Sequence, residues 1–384
     1  MVCSSWLVKL HLRDAMNARM WLGSVAVCLL TASAALAQYG PYYGAGTAPA
    51  WQGVMPTGYF EGNNGQALAP TPDQGTATTS LGPCPTGCLP TWQVWGEYLY
   101  LRPSDADVPW AVAINGAIQQ GSVPIQVSRV ANADIDFDSG FRFGVGRALD
   151  ECASVGVSYT FFESHSNDSL ATDDPYVLRS LVAHPGTLTA AADYLRGIAS
   201  NDVDFQLIDA DYRHVFRSNC YGSMNWLVGA RYAQFEQDFN ALFRNNGIET
   251  VLTESRFYGA GLRLGLEGER HSQKCGLLIY GRSTANFVAG DFRARYQQSQ
   301  SYDVIEVDTR LRASRVVPIL DLELGSGWVS QDGRCMFTVG YMVSAWFNVL
   351  DADTFIRGVQ ANDFSDLDDT VVFDGLVGRA EIRF

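Results

Sequence analysis

From Trp92 onward, most of the chain alternates apolar residues with small or charged residues at a period of two. In the stretch "IDFDSGFRFGVGRA" (135–148), Phe141, Phe143 and Val145 fall on one face, whereas glycines and Arg142 fall on the other. Successive side chains of a β-strand point to opposite faces, so this period predicts strands rather than helices. The chain is therefore expected to be all-β from this point on.

Ten segments carry this alternation, and an even number brings both ends of a closed meander to the same side of the barrel. The predicted strands are 92–102, 135–148, 152–164, 203–216, 223–238, 253–269, 275–289, 314–329, 335–350 and 370–384. Asp374 interrupts the apolar face of the last strand, and we expect it at the outer rim.

The combination of glycine and charge on the polar face distinguishes two kinds of barrel. A soluble barrel hides its apolar face inside and shows charge to water, which requires no rows of glycine. A transmembrane barrel presents its apolar face to lipid and holds polar groups in its lumen, where small residues leave room for arginine side chains. The sequence therefore predicts an antiparallel transmembrane β-barrel and disfavours a soluble ligand-binding barrel.

Charged residues of the predicted strands are expected to face the lumen. The nine candidates are Glu97, Arg142, Arg231, Arg263, Glu267, Asp321, Glu323, Arg379 and Glu381. Two interpretations stay open at this point: the charges line and select a narrow pore, or they pair with one another and close the lumen. Ten strands enclose far less space than the roughly 16 to 18 strands of a general porin, so a wide channel is not expected.

The connections between the predicted strands alternate between short and long. Short turns are expected near 149–151, 217–222, 270–274 and 330–334, and long connections near 103–134, 165–202, 239–252, 290–313 and 351–369. Short periplasmic turns opposite long extracellular loops are typical of a transmembrane barrel. The stretch "LTAAADYLRGI" (188–198) predicts a short helix in the second long loop, folded into the barrel mouth.

The first 91 residues have a different character. Arg19, an apolar stretch from Trp21 to Leu30 and the small residues of Ala35-Leu36-Ala37 predict a signal peptide over 1–37, with a true start at Met16 as a further hypothesis. Residues 38–91 are rich in Gly, Pro, Tyr and Thr without a period, which predicts a flexible linker. The barrel is then expected over 92–384.

Composition and spacing exclude several function classes. The net charge is −14 and Lys and Arg are not clustered along the sequence, so no nucleic-acid partner is expected. No motif predicts a cofactor or a metal site, and the glycine patterns lack the strand-to-helix context of a nucleotide site. Asp173, Asp174 and His184 are residue types that a surface protease uses, but they belong to one loop and a solvated loop explains them equally well. No enzyme is therefore expected.

Six cysteines follow the predicted cleavage site and fall before the first strand or beside the short turns. They are Cys84, Cys88, Cys152, Cys220, Cys275 and Cys335. An exported chain can form disulfides between such residues. Pairing cannot be deduced from spacing, so both disulfides and unpaired thiols stay open.

Several runs together resemble the pore-forming outer-membrane proteins typified by the Legionella major outer-membrane protein, over about residues 92–384. They are "WGEYLYLRP" (95–103), "DFDSGFRFGVG" (136–146), "DFQLIDADYRHVF" (204–216), "WLVGARYAQFEQDF" (226–239), "FYGAGLRLGLE" (257–267) and the terminal "EIRF". The resemblance implies an outer-membrane barrel with a pore-forming or structural role; the alternative is a surface adhesion or interaction scaffold with a closed lumen. The linker and the turn cysteines depart from the family pattern.

Phe384, Ile382 and Ala380 lie on the apolar face of the last strand. The resemblance implies that these residues form the signal read by the barrel assembly machinery. The expected partners are therefore the lipid bilayer of the outer membrane and this machinery, with small solutes or surface ligands as further classes.

Deletion of Phe384 is expected to impair insertion rather than any activity of the inserted protein, because it removes the aromatic residue of the predicted signal. The measurement is the amount of folded barrel in isolated outer membranes, read from heat-modifiable migration on a gel. Substitution of Phe384 by Tyr serves as the control and should insert normally. Normal insertion of the deletion variant would contradict the assignment.

Overall fold

The computed structural model describes residues 92–116, 123–187, 190, 192–219, 221–244, 247–272, 276–301 and 304–384. The predicted signal peptide at 1–37 and the linker at 38–91 lie outside the described residues. Four of the six candidate cysteines, Cys84, Cys88, Cys220 and Cys275, lie outside them as well.

The described strands and the helix follow one another along the chain in this order: β1 (Trp92–Ser104), β2 (Val108–Ile114), β3 (Ala131–Ala133), β4 (Asp138–Ala148), β5 (Ala153–Ala171), β6 (Val177–Ser180), β7 (Arg196–Asn219), β8 (Gly222–Arg244), β9 (Ile248–His271), β10 (Leu277–Gln300), β11 (Val304–Val329), β12 (Cys335–Val349), α1 (Ala352–Ala361) and β13 (Asp369–Arg383).

Ten of these strands close an antiparallel barrel in the order β1, β13, β12, β11, β10, β9, β8, β7, β5 and β4, and β4 pairs again with β1. The predicted ten-stranded antiparallel barrel is confirmed. Trp92 and Phe384 complete the seam through two backbone hydrogen bonds, in which each N–H donates to the other residue's carbonyl at 2.8 and 2.9 Å. The remaining strands form a separate sheet in the order β3, β2, β6.

Two of the connections predicted to be long are wrong. Strand β8 runs to Arg244 and β9 begins at Ile248, while β10 runs to Gln300 and β11 begins at Val304. The alternation continues through these segments with its polarity inverted: on β8, Phe235 and Phe239 are buried whereas Glu236 faces outward. The sequence interpretation required apolar residues on the outer face, so it ended the strand at this inversion. The strand itself continues.

The helix predicted at 188–198 is wrong from residue 192 onward, and residues 188, 189 and 191 lie outside the described residues. Residues 192–195 are not helical, and β7 has already begun at Arg196. The helix α1 instead lies in the last connection, where Asp351 caps its N-terminus and Asn362 ends it in the left-handed conformation. The sequence around 351–362 carries both cap signals, an Asp before the helix and an Asn after it.

Exposed apolar residues cover the outer face of the barrel on the side of the short turns. We call this surface the outer apolar belt; on β9 to β11 it comprises Leu262, Leu264, Leu266, Ile279, Phe287, Val316, Leu320 and Leu324. From Leu277 to Ala289, strand β10 rises by about 30 Å along the barrel axis if its tilt is near 40°. That height matches the hydrocarbon core of a bilayer.

Asp374 lies where this belt ends. It is the register partner of Arg102, and the hydroxyl of Tyr341 donates a hydrogen bond to its carboxylate. The Ser104 hydroxyl donates a further bond at 3.3 Å.

Among the described residues, no helix is long and apolar enough to cross a membrane.

Candidate functional site: the barrel lumen

The interior of the barrel has two layers. Inward-facing residues near the short turns are mostly charged, whereas those nearer the long connections are mostly apolar. The change is visible along β1, where all four inward-facing residues are buried: Trp95 and Glu97 lie nearer the short turns, and Leu99 and Leu101 lie nearer the long connections.

Glu97 is the centre of the first group of charges. Its carboxylate accepts from Arg142 at 2.7 Å, from Arg379 at 3.0 Å and from Arg282 at 3.4 Å, and only 3% of the residue is exposed. Strand β1 lies between β4 and β13, and Glu97 is the register partner of both Arg142 and Arg379. The strand register alone therefore places one carboxylate between two guanidinium groups.

Further pairs extend this first group. Glu323 lies 3.5 Å from Arg282 and 3.9 Å from Arg142, and it accepts a hydrogen bond from the Tyr280 hydroxyl at 2.7 Å. Nearer the short turns, Glu381 binds Arg379 and Arg383. The Glu97 group thus contains four arginines and three carboxylates: Arg142, Arg282, Arg379, Arg383, Glu97, Glu323 and Glu381.

Asp209 and Arg231 form the centre of a second group. These register partners make two parallel hydrogen bonds of 2.6 and 2.8 Å, and Arg231 also donates to Asp321 at 2.8 Å. Arg263 lies 3.3 Å from Asp209 and 3.5 Å from Asp321. The fork of an arginine matches a carboxylate in this way, which fixes the direction of both side chains.

The second group continues towards the short turns. Asp211 forms an ion pair with Arg263 at 3.1 Å and accepts a hydrogen bond from Arg213 at 3.2 Å, and Arg213 also pairs with Glu267 at 3.3 Å. The Asp209 group therefore contains three arginines and four carboxylates: Arg213, Arg231, Arg263, Asp209, Asp211, Glu267 and Asp321. Together the two groups hold seven arginines and seven carboxylates, so their formal charges cancel.

The structure brings all nine sequence-predicted lumen residues into these two groups. It adds Asp209, Asp211, Arg213, Arg282 and Arg383, which the sequence interpretation missed. Four of these five lie on β7 and β10, where the apolar alternation is blurred. A charge-only alternation in "DADYR" (209–213) was the signal that could have found the three residues on β7.

Little space is left around these charges. A cavity of about 50 Å³ lies between the two groups and is lined by residues of both. A second cavity of about 140 Å³ lies nearer the short turns, and both are lined by Arg213, Glu267, Arg282 and Arg379. At roughly 10 to 15 Å³ per water in this measure, the first cavity accommodates only a few water molecules.

Aromatic side chains fill the second layer and meet across the lumen. Phe205 of β7 lies against Phe373 of β13 with ring centroids 4.7 Å apart, and against Trp346 of β12 at 5.8 Å. Phe162 of β5 stacks on Phe205 at 5.2 Å, and Phe235 of β8 approaches Trp346 at 6.0 Å. These five residues, each at most 2% exposed, form what we call the aromatic layer.

Helix α1 lies against this filled interior. Its Phe355, Ile356 and Val359 are buried. Inward polar residues of the wall satisfy the backbone of the connections: Gln237 accepts from the Ala352 amide at 2.9 Å and donates to the carbonyl of Ala106 at 3.0 Å. The connections are thereby fixed to the barrel wall by both apolar packing and hydrogen bonds.

The residues considered for a protease are not assembled into a site. The His184 amide donates to Gln298 at 2.8 Å, while the carbonyl of Asp173 accepts from the Tyr176 amide at 3.0 Å. Among the described residues, no hydrogen bond or ion pair joins His184 to Asp173 or Asp174. Nor does any group of three His, Cys, Asp or Glu residues in this part of the chain have the geometry to hold a metal ion.

Cys152 and Cys335 are free thiols in the structure. The other four candidate cysteines fall outside the described residues, so disulfide formation stays a prediction for those four.

Comparison with known proteins identifies a family. The profile of the family described as Legionella pneumophila major outer membrane protein precursor matches residues 83–372. No curated protein matches the chain in sequence.

Two solved outer-membrane barrels are similar in structure at low identity. The outer membrane protease OmpT from Escherichia coli is 11% identical with a TM-score of 0.43, over 77% of this chain and 97% of that chain. The translocator domain of the autotransporter NalP from Neisseria meningitidis is 11% identical with a TM-score of 0.36, over 77% of this chain and 88% of that chain. At these values the similarity carries no argument about activity.

Substitution of Glu97 by Gln is expected to destabilise the barrel by about 3 kcal/mol, because three partly buried arginines lose their common, buried carboxylate. The measurement is the free energy of unfolding in urea, followed by tryptophan fluorescence in lipid vesicles. Glu151→Gln is the matched control, since Glu151 lies exposed in the turn between β4 and β5. Equal stability of the two variants would show that the Glu97 group does not hold the lumen together.

The N-cap of α1 should make this helix sensitive to pH. Burial raises the pKa of Asp351 to about 6, and the carboxylates of Asp369 and Asp353 also raise it, while a hydrogen bond from Thr354 lowers it. Because the folded value lies above the ordinary 3.8, the stabilisation is fully present below the ordinary value and is lost as the pH rises through 6. A shift of roughly two units corresponds to at most about 3 kcal/mol.

We therefore expect the amides of residues 352–361 to exchange more slowly near pH 5 than near pH 7.5, after correction for intrinsic exchange rates. The measurement is hydrogen–deuterium exchange of the refolded protein. In Asp351→Asn, a neutral amide caps the helix at both pH values, so the difference should disappear. A difference that persists in this variant would assign the pH dependence to another group.

Proposed function

The chain belongs to the family of the Legionella pneumophila major outer membrane protein, and from the packing of its barrel interior we propose that it is a structural outer-membrane barrel whose lumen is closed to solutes. As a member of this family it resides in the outer membrane, with its barrel in the lipid bilayer. In the proposed orientation the short turns face the periplasm and the long connections face outward.

The aromatic layer is the observation that carries the proposal. Phe205 on β7 comes from the side of the barrel wall opposite to the neighbouring strands β12 and β13, yet its ring lies within contact distance of Trp346 and Phe373. Each is at most 2% exposed, so no water-filled path passes between them. A hydrated solute would have to displace a packed apolar layer to cross.

The charges below this layer support the same proposal. A selective pore presents a ring of one sign to the permeating ion. Here seven arginines and seven carboxylates neutralise one another, and cavities of about 50 and 140 Å³ remain. The nine residues predicted from the sequence would on this view brace the wall of the barrel instead of selecting an ion.

A role at the cell surface follows from the closed lumen. The connections between barrel strands build a sheet of β3, β2 and β6 together with α1, anchored to the wall through Gln237 and Asn201. Near this sheet Val123, Ile125 and Val127 are exposed. These features suit a scaffold that presents a fixed surface for adhesion or interaction, and they require no enzymatic activity.

Pore formation is the second candidate, favoured by the two polar cavities. They share four lining residues and extend from the short turns to the middle of the barrel. A pore would open on this view if α1 and the connections left the barrel and the aromatic layer separated. The closed state would then be a resting state.

The proposal predicts that the refolded protein produces no stepwise conductance in a planar lipid bilayer, because the aromatic layer blocks the lumen. Heat-modifiable migration of the same sample establishes that folded barrel is present, and a general porin added to the same bilayer is the positive control. Reproducible steps from the folded protein, absent after boiling, would overturn the closed scaffold and favour the pore.

A further inference from the structure

Three arginines lie side by side on the outer face of neighbouring strands. Arg293 of β10 is the register partner of both Arg256 of β9 and Arg312 of β11. Phe257 beside Arg256 and Phe292 beside Arg293 are buried inside the barrel, and Leu311 beside Arg312 is partly buried against the core, so the three arginines face outward. We call these three residues the arginine row.

Within this row, the charges of Arg293 and Arg312 are not compensated by any described carboxylate at ion-pair distance. Arg293 and Arg312 are exposed, and neither forms an ion pair among the described residues. Arg256, by contrast, has three carboxylates within ion-pair distance, Glu236 and Asp238 at 3.9 Å and Glu254 at 4.0 Å. Like charges directly opposite one another destabilise a strand pair, so the row calls for an anion that the protein itself does not supply.

The next pair of arginines shows how the same problem is solved within the chain. Arg295 and Arg310 are also register partners, and Asp308 binds both, at 3.1 and 3.0 Å. In the part of the chain that the structure describes, no carboxylate binds both Arg293 and Arg312. In a chain with a net charge of −14, an uncompensated basic row is a specific feature and not a general surface property.

The height of the row on the barrel suggests the source of the anion. Counted along β10, the outer apolar belt ends near Ala289, and Arg293 lies four residues further from the short turns. Four residues of a tilted strand correspond to a rise of about 10 Å. The headgroup zone begins at the edge of the hydrocarbon core and is about 5 to 8 Å deep. An arginine side chain is long enough to reach back into that zone, past the outward residues Tyr258, Asp291 and Ser314, of which Ser314 donates a hydrogen bond to the Asp291 carboxylate.

We propose that the arginine row binds the phosphate of a lipid headgroup in the outer leaflet. The phosphate would lie between Arg293 and Arg312, since guanidinium groups bind phosphate through paired charge-assisted hydrogen bonds. The acyl chains would lie below on Leu262, Phe287 and Val316, which are 67%, 52% and 49% exposed. The proposal rests on the outer-membrane location and on the proposed orientation, and it is independent of whether the lumen conducts.

The test uses the full refolded barrel in neutral detergent and the variant Arg293→Gln/Arg312→Gln. The matched control is Arg196→Gln/Arg244→Gln, because these two arginines are also exposed register partners. They lie about 30 Å above the belt, well beyond the headgroup zone. Native mass spectrometry measures retention of diphosphorylated lipid A, of the same lipid without its phosphates, and of inorganic phosphate.

We expect the wild-type protein and the control variant to retain diphosphorylated lipid A equally. The Arg293/Arg312 variant should retain at most about one tenth as much of this lipid, because it lacks two charge-assisted contacts. The lipid without phosphates should bind weakly and equally to all three proteins. Addition of diphosphorylated lipid A should also raise the unfolding temperature of the wild-type protein and of the control, but not that of the Arg293/Arg312 variant.

Three results would overturn the proposal. One is equal retention of diphosphorylated lipid A by all three proteins, and another is equal retention of the lipid with and without its phosphates by the wild-type protein. The third is displacement of the lipid by inorganic phosphate at the same concentration, which would assign the row to free phosphate. None of these results bears on the conductance test, so the lumen proposal and the lipid proposal fail separately.

Discussion

Each long wall strand of this barrel passes through two solvents, and that passage fixes the polarity of both of its faces. Near the short turns the outer face meets hydrocarbon and must be apolar, so charge is confined to the interior. Nearer the long connections the outer face meets water, and the interior becomes a hydrophobic core. On β8 the inward residues change from Arg231 to Phe235 within four positions, while the outward residues change from Tyr232 to Glu236. The register is unbroken across this change.

This inversion explains which parts of the fold could be predicted from the sequence. The half of each strand nearer the short turns has the polarity of a membrane barrel, apolar outside and polar inside. All ten strands, their antiparallel order and nine of the fourteen paired charges therefore followed from residue type and spacing. The halves of β8 to β11 nearer the long connections have the opposite polarity, polar outside and apolar inside. Segments such as 239–252 therefore looked like loops, although their alternation is just as regular.

The parts that could not be predicted depend on contacts between distant segments. Helix α1 has cap residues in the sequence, but its position depends on Gln237, 115 residues away, which accepts a bond from Ala352. The aromatic layer is equally hidden, because Phe205 and Phe373 are ordinary strand residues until closure of the barrel brings their rings together. The opposite signs of Glu97 and Arg142 were readable from the chain, whereas their adjacency required the register of β1 and β4.

The seam between β1 and β13 has a consequence for the connectivity of the molecule. Trp92 and Phe384 exchange backbone hydrogen bonds, so the first and last barrel residues are neighbours within a continuous sheet. The sheet has no privileged starting strand, and the seam differs from other strand pairs only in lacking a covalent turn. Joining residues 384 and 92 by a short turn and opening the chain between Arg244 and Ile248 would give a circular permutant with the same ten strand pairs. In such a chain the order of synthesis would change while the packed interior stayed the same.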